Sequence, residues 1–204
     1  MDRTIYIVDD DPAVINALQN LLSSEGYLIS TFTSPAEFLQ QPYYRTPSCL
    51  IVDMNMPGLD GFDVSHDLTA RGYTIPTIFL TGFGTIPLTV RAMKAGAFEF
   101  LTKPVMPDDL IQVVSAAMAL AEKSAALAQE RVVLTGRYHS LTPREMELMQ
   151  FVIRGLLNKQ IAAEMGISEI TAKVHKRRVM EKMAVRSVSE LVRAAEKLHL
   201  LQDE

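Results

Sequence analysis

The sequence predicts two domains of different class: an α/β domain built on a five-stranded parallel sheet, then an all-α domain, joined by a long helix. Three observations carry this. Five short apolar runs alternate with helical patterns in the first half, which implies a parallel sheet covered on both faces. Charge divides along the chain: residues 1–120 hold 6 Lys+Arg against 13 Asp+Glu, and residues 121–204 hold 14 against 11. From Asp108 to about Leu134 there is no Gly or Pro and alanine, the best helix former, is abundant.

In order, Ile5–Val8 reads as the first strand and ends in Asp9-Asp10-Asp11. Val14, Leu18 and Leu21, with Ile15 and Leu22, mark a helical face that Gly26 closes. Tyr27 to Phe32 is the second strand, and Ser34-Pro35-Ala36-Glu37 is a capping box opening a helix. Cys49 to Val52 is an apolar strand ending in Asp53, followed by a helix from Phe62 to Arg71. Thr77–Leu80 ends in Thr81-Gly82, Pro87–Ala95 is helical, and Phe98–Leu101 ends in Thr102-Lys103-Pro104. A long helix starts near Pro107, its first part covering the sheet and its second linking the domains. Ile111, Val114, Met118, Ala121, Ala125, Ala128 and Val132 follow a heptad spacing, so a solvated extension and a helix-pairing seam both stay open.

The rest is helical. Thr142-Pro143-Arg144-Glu145 is a second capping box, Leu148, Met149, Val152 and Ile153 form an apolar stripe, and Gly155 ends that helix. Asn158 is expected to cap a short helix from Lys159 to Met165. Gly166 turns the chain, Ser168 caps a helix to about Met183, and Ser187–Glu190 is a third box. Two short helices joined through one Gly turn form the helix-turn-helix pattern.

With 204 residues, 48% apolar and 22% charged, the chain is neither disordered nor fibrous. No continuous apolar run approaches the ~18 residues of a membrane span. The acidic, strand-like start is unlike a signal peptide, so a cytoplasmic protein with no membrane partner is expected. The single Cys49 reads as a buried small residue, and the four histidines (66, 139, 175 and 199) show no ligand spacing.

Ligands of such sheets bind beyond the carboxyl ends of the strands, where strand order switches. That edge gathers Asp9, Asp10, Asp53, Thr81 and Lys103. Clustered carboxylates call for a hard cation with oxygen ligands, and Mg²⁺ suits because it keeps waters and accepts phosphate oxygens. A carboxylate can also accept a phosphoryl group, with Lys103 and the Thr81 hydroxyl stabilising its charge.

These residues carry a resemblance. Val8-Asp9-Asp10-Asp11, Asp53 to Gly61 (DMNMPGLDG), Thr81-Gly82 and Lys103-Pro104 resemble the receiver domain of bacterial two-component response regulators. Leu141 to Glu145, Asn158 to Ala162 and Thr171 to His175 resemble the LuxR-type helix-turn-helix. Together they are similar to the NarL/FixJ class, FixJ-like in style. The resemblance implies a flavodoxin-like doubly wound receiver over 1–120, a helical linker over 121–140 and a four-helix DNA-binding domain over 141–204. It implies Asp53 as phosphoacceptor, Mg²⁺ held by Asp9, Asp10, Asp53 and the Asn55 carbonyl, and Thr81, Phe100 and Lys103 as phosphoryl contact and switch residues. Asp11 is given no metal role. The Lys103–Pro104 bond is expected to be cis, and Phe83 to shield the aspartyl phosphate from water.

An enzyme reading is disfavoured: turnover would call for a second acid two residues after the acceptor, where Asn55 offers an amide. Ser168 to Arg186 carries six basic residues against two acidic ones, as expected of a helix in a major groove. By resemblance, Lys173, Val174 and Arg177 face bases, while Asn158, Lys159, Thr171, Arg178 and Lys182 position the backbone. The implied partners are a sensor histidine kinase, promoter DNA, a second copy after phosphorylation, and RNA polymerase. The alternative is a phosphorylation-dependent docking regulator with no specific DNA binding.

Overall fold

The computed structural model describes residues 3–82, 86–94 and 96–200. The chain divides into two compact units, Met1–Ala126 and Leu127–Glu204.

The first unit alternates β1 (Thr4–Val8), α1 (Pro12–Ser24), β2 (Leu28–Phe32), α2 (Pro35–Leu39), β3 (Ser48–Asp53), α3 (Gly61–Ala70), β4 (Thr77–Thr81), α4 (Ile86–Lys94) and β5 (Glu99–Thr102). All pairings are parallel, in the order β2-β1-β3-β4-β5. This is the doubly wound order whose switch point lies between β1 and β3. Alternation along each strand splits the core in two. Tyr6, Val8, Leu50, Val52 and Phe79 point to one face, with Phe38, Phe62 and Leu68. Ile5, Ile7, Cys49, Ile51, Ile78 and Leu80 point to the other, with Ile15, Leu22, Leu110, Val114 and Met118. Cys49 is fully buried, and burial pushes its thiol pKa up to about 12, so it stays a protonated packing residue.

Local chemistry sets the boundaries. Asp11 caps α1 by accepting the Ala13 N–H, and Gly26 takes the positive φ of 83° that turns the chain after α1. Ser34 caps α2 as expected; Glu37, however, accepts the Thr33 N–H rather than that of Ser34. The Lys103–Pro104 bond is cis, as expected, and so is Thr46–Pro47, which the sequence reading did not single out.

The long helix α5 runs Pro107–His139, five residues past its expected end and through Gly136. Gly costs ~1 kcal/mol in a helix interior, and burial of Leu134 in the second core outweighs it. Val114, Met118 and Ala121 are buried against the sheet, whereas Ala128 and Val132 are exposed, so the first half of the heptad pattern is sheet packing and not a seam. An 18-residue window of α5 reaches a mean hydropathy of 1.4, enough by length and composition to cross a membrane. Its apolar residues are interspersed with Gln, Ser, Glu and Lys, so no continuous apolar run marks it in the sequence. That apolarity is partly accounted for by the sheet-facing side of α5.

The second unit packs the end of α5 with α6 (Pro143–Ile153), α7 (Asn158–Met165), α8 (Glu169–Met183) and α9 (Val188–Lys197). Its core includes Leu148, Met149, Val152, Ile161, Ala172, Val179, Met183 and Leu191. Gly166, at φ 63°, makes the turn between α7 and α8. The expected cap of α7 shifts by one residue: Asn158 is the first helical residue, Leu157 precedes it, and the Gln160 side chain accepts the Leu157 N–H.

Candidate functional site

Parallel pairing brings the last residues of β1, β3, β4 and β5 to one edge, and the buried charges of the first unit lie there. Asp9 follows β1 and is 1% exposed; Asp53 ends β3 and is 5% exposed. The Lys103 ammonium lies between them, 2.7 Å from Asp9 Oδ2 and 2.9 Å from Asp53 Oδ1. Each remaining carboxylate oxygen is satisfied locally: Asp9 Oδ1 accepts the Asp11 N–H at 2.9 Å, and Asp53 Oδ2 accepts the Asn55 N–H at 3.1 Å. The Lys103 N–H donates to the Thr81 carbonyl at 2.7 Å, which fixes the lysine against the end of β4.

The electrostatics are strained in one direction. Burial raises the Asp9 carboxyl above its ordinary value, outweighing the hydrogen bonds from Lys103 and the Asp11 amide, and the Asp53 charge adds to the rise. Burial acts to lower the Lys103 ammonium, yet its bonds to Asp9 and Asp53 hold it above the usual lysine value. Two carboxylates therefore share one cation, leaving room for further positive charge.

Of the expected metal set, the structure unites Asp9 and Asp53. Asp10 and Asn55 are exposed at the rim. Among the described residues no three acid, histidine or cysteine side chains are grouped to hold a metal; the Lys103 ammonium already bridges the two carboxylates. The donor set still fits Mg²⁺, which uses one or two carboxylates and retains its waters. Thr81 is fully buried at the end of β4. Phe100 lies opposite Phe79 in register and packs half-buried on the same core face. Phe83 lies outside the described residues.

In the second unit the outward face of α8 presents Lys173, Val174, Arg177 and Arg178. Lys173 and Arg177 pair with Glu169 at 3.3 Å and Glu181 at 2.7 Å, both exposed contacts and individually weak. Lys159 is exposed on α7. Thr171 is committed to the cap of α8, its N–H donating to Ser168 Oγ and its hydroxyl 2.8 Å from it. Asn158 is half-buried, with its Oδ1 buried and unpartnered.

Lys182, expected as a phosphate contact, is engaged within its own unit. Its Nζ donates to Glu145 Oε2 at 2.6 Å and to the Ser140 carbonyl at 3.1 Å, so it ties the end of α8 to the start of α6. Physically, Glu145 is the stronger local attractor: its side chain is only 4% exposed. The Lys182 hydrogen bond and the Thr142 cap hold its carboxyl down at about 2, against burial. Sequence reasoning found Glu145 only as half of a capping box, which it is; its partner 37 residues away left no local signal.

Comparison with known proteins agrees with both halves. Residues 5–115 match the response regulator receiver domain, and residues 139–195 match bacterial regulatory proteins of the luxR family. The response regulator protein TmoT of Ectopseudomonas mendocina is 44% identical over 97% of this chain and 90% of its own. The transcriptional regulatory protein FixJ of Bradyrhizobium diazoefficiens is 40% identical over 98% of this chain and 97% of its own. Among solved structures, the response regulator StyR matches with a TM-score of 0.87 and 42% identity, covering 97% of this chain and all of that one. With a receiver-type sheet edge in one unit and a LuxR-type helix-turn-helix in the other, the chain belongs to the NarL/FixJ class of two-component response regulators that bind DNA.

Proposed function

We propose that Asp53 is the phosphoacceptor and that its modification controls DNA binding by α8. The observation that carries this is the convergence of Asp9, Asp53 and Lys103 within 2.9 Å contacts at the carboxyl edge of the sheet. A carboxylate oxygen of Asp53 attacks the phosphorus of a phosphohistidine on a sensor kinase. A P–O bond forms as the P–N bond breaks, and the freed imidazole takes a proton. Lys103 neutralises charge on the transferred group, and the Thr81 hydroxyl holds one of its oxygens. Mg²⁺, when bound, supplies further neutralisation; Asp9, Asp10, Asp53 and the Asn55 carbonyl would hold it. The new charge shifts Thr81 and Phe100 between two pre-existing arrangements.

The phosphorylated form then dimerises and binds paired promoter half-sites in the bacterial cytoplasm, where it engages RNA polymerase. It acts as a switch and not as a turnover enzyme. The functional division is receiver 1–120, linker 121–140 and DNA-binding domain 141–204. Lys173, Val174 and Arg177 read bases; Asn158, Lys159, Thr171, Arg178 and Lys182 position the backbone.

Incubation with labelled acetyl phosphate and Mg²⁺ tests the acceptor. Label is expected on the native chain, and none on Asp53→Asn or after chelation; equal labelling of Asp53→Asn refutes the assignment. For DNA, Arg177→Ala should lower cognate affinity by ~1–3 kcal/mol while leaving random-duplex binding nearly unchanged. An equal loss on both duplexes makes Arg177 a phosphate clamp only.

A further inference from the structure

Ile170 is the most exposed large apolar side chain among the described residues, at 76%. It sits in the first turn of α8, the part of a helix-turn-helix recognition helix that meets base edges. At ~100° per residue, Ile170, Val174 and Arg177 fall on one line along α8. The opposite side carries Ala172, Val179 and Met183, all buried in the core. Val174 is also 46% exposed. Lys173 and Arg178 flank this stripe on either side, both exposed.

This distribution separates two chemistries. The flanking cations suit the phosphate walls of a groove, while the apolar centre meets its floor. The apolar group on a major-groove floor is the C5 methyl of thymine. No cation or hydrogen-bonding side chain occupies the position of Ile170, so phosphate binding gives no account of it. We infer that Ile170 is a specificity-determining residue that packs on a thymine methyl, one helical turn before the contact assigned to Val174. Four residues of helix span ~6 Å, close to two base-pair steps of ~3.4 Å. Val174, apolar and exposed on the same line, meets a thymine methyl on the same ground, so each half-site carries two thymines about two steps apart, one under each side chain. The inference rests on the DNA-binding reading above and adds a base class to it.

The test uses the full chain with acetyl phosphate and duplexes selected from a randomised pool. Replacing one thymine at a time by deoxyuridine removes only the methyl. For the native chain, one replacement per half-site should weaken binding about fourfold, the worth of one buried methyl group, through Ile170, and a second, two steps away, through Val174. In Ile170→Ala the first sensitivity should vanish and the second persist, with random-duplex affinity and the far-ultraviolet circular dichroism spectrum unchanged. Ile170→Val should retain part of the first sensitivity. If Ile170→Ala keeps the native deoxyuridine profile, or loses cognate and random binding equally, the inference is overturned while specific DNA binding stands. If the native chain itself shows no preference for selected over random duplex, the DNA-binding reading falls with it. Native sensitivity confined to the Val174 step also overturns it, and leaves Ile170 as a protein-contacting residue.

Discussion

Each unit holds a lysine against buried carboxylate, and the two arrangements behave oppositely. In the first, one ammonium serves two carboxylates, and burial wins at Asp9, whose carboxyl is raised. In the second, one ammonium serves one carboxylate that also takes the Thr142 N–H, and attraction wins: Glu145 is held down at about 2. The fully satisfied pair is a structural pin. The under-neutralised carboxylates leave net negative charge that an incoming cation relieves, which favours a site that takes up Mg²⁺.

Breaking each arrangement should expose the contrast. Lys103→Met leaves Asp9 and Asp53 facing each other without a cation, and the rate of labelling by acetyl phosphate should fall by on the order of 10²-fold. Quench-flow labelling reads this directly. Lys182→Met strands the buried Glu145 and should destabilise the chain by ~2 kcal/mol, below the range for a fully buried pair because Lys182 is 36% exposed. Urea unfolding with a probe in the second unit measures it. That loss should depend on pH. Glu145 is depressed from 4.5 to about 2, so its stabilisation is complete above 4.5 and disappears as pH falls toward 2, where native and Lys182→Met chains should converge.

Asp9→Asn tests the opposite sign. A raised carboxyl favours the folded state only when protonated, so ionised Asp9 costs stability at neutral pH. The variant should be more stable than the native chain by ~1 kcal/mol at pH 7, with the gain shrinking in acid, while labelling declines. Equal or lower stability would remove the repulsion from the account. The smallest effect is expected where charges are exposed: Arg177→Ala should change folding stability by less than ~0.5 kcal/mol despite its 2.7 Å contact with Glu181.

Legibility in the sequence tracked the range of the signal. The strands ending in Asp53 and Thr81 are readable from apolar runs, the caps at Ser34, Thr142 and Ser187 from residues three apart, and the cap at Ser168 from the Gly166 turn before it. The convergence of Asp9 with Lys103, 94 residues away, was readable because the parallel topology itself dictates it. The Lys182–Glu145 tie was not, because a lysine's direction around a helix end depends on a tertiary neighbour. The sequence reads as a helix from Phe62, yet Asp60 caps α3 through a reciprocal bond with Asp63, so Gly61 is its first residue.

Gly61 ties the Asp53 strand to the helix that follows it. A Cβ there would stand 2.9 Å from the Asp53 carbonyl oxygen and 3.1 Å from Phe79, so the first turn of α3 rides directly on the Asp53 peptide group. Packed interiors have low compressibility and pass displacement on. The seven residues between β3 and α3 are thus a closed loop with both ends fastened to one point. A side chain at 61 would press on that peptide and on Phe79, so strand and helix pack this closely only with glycine there.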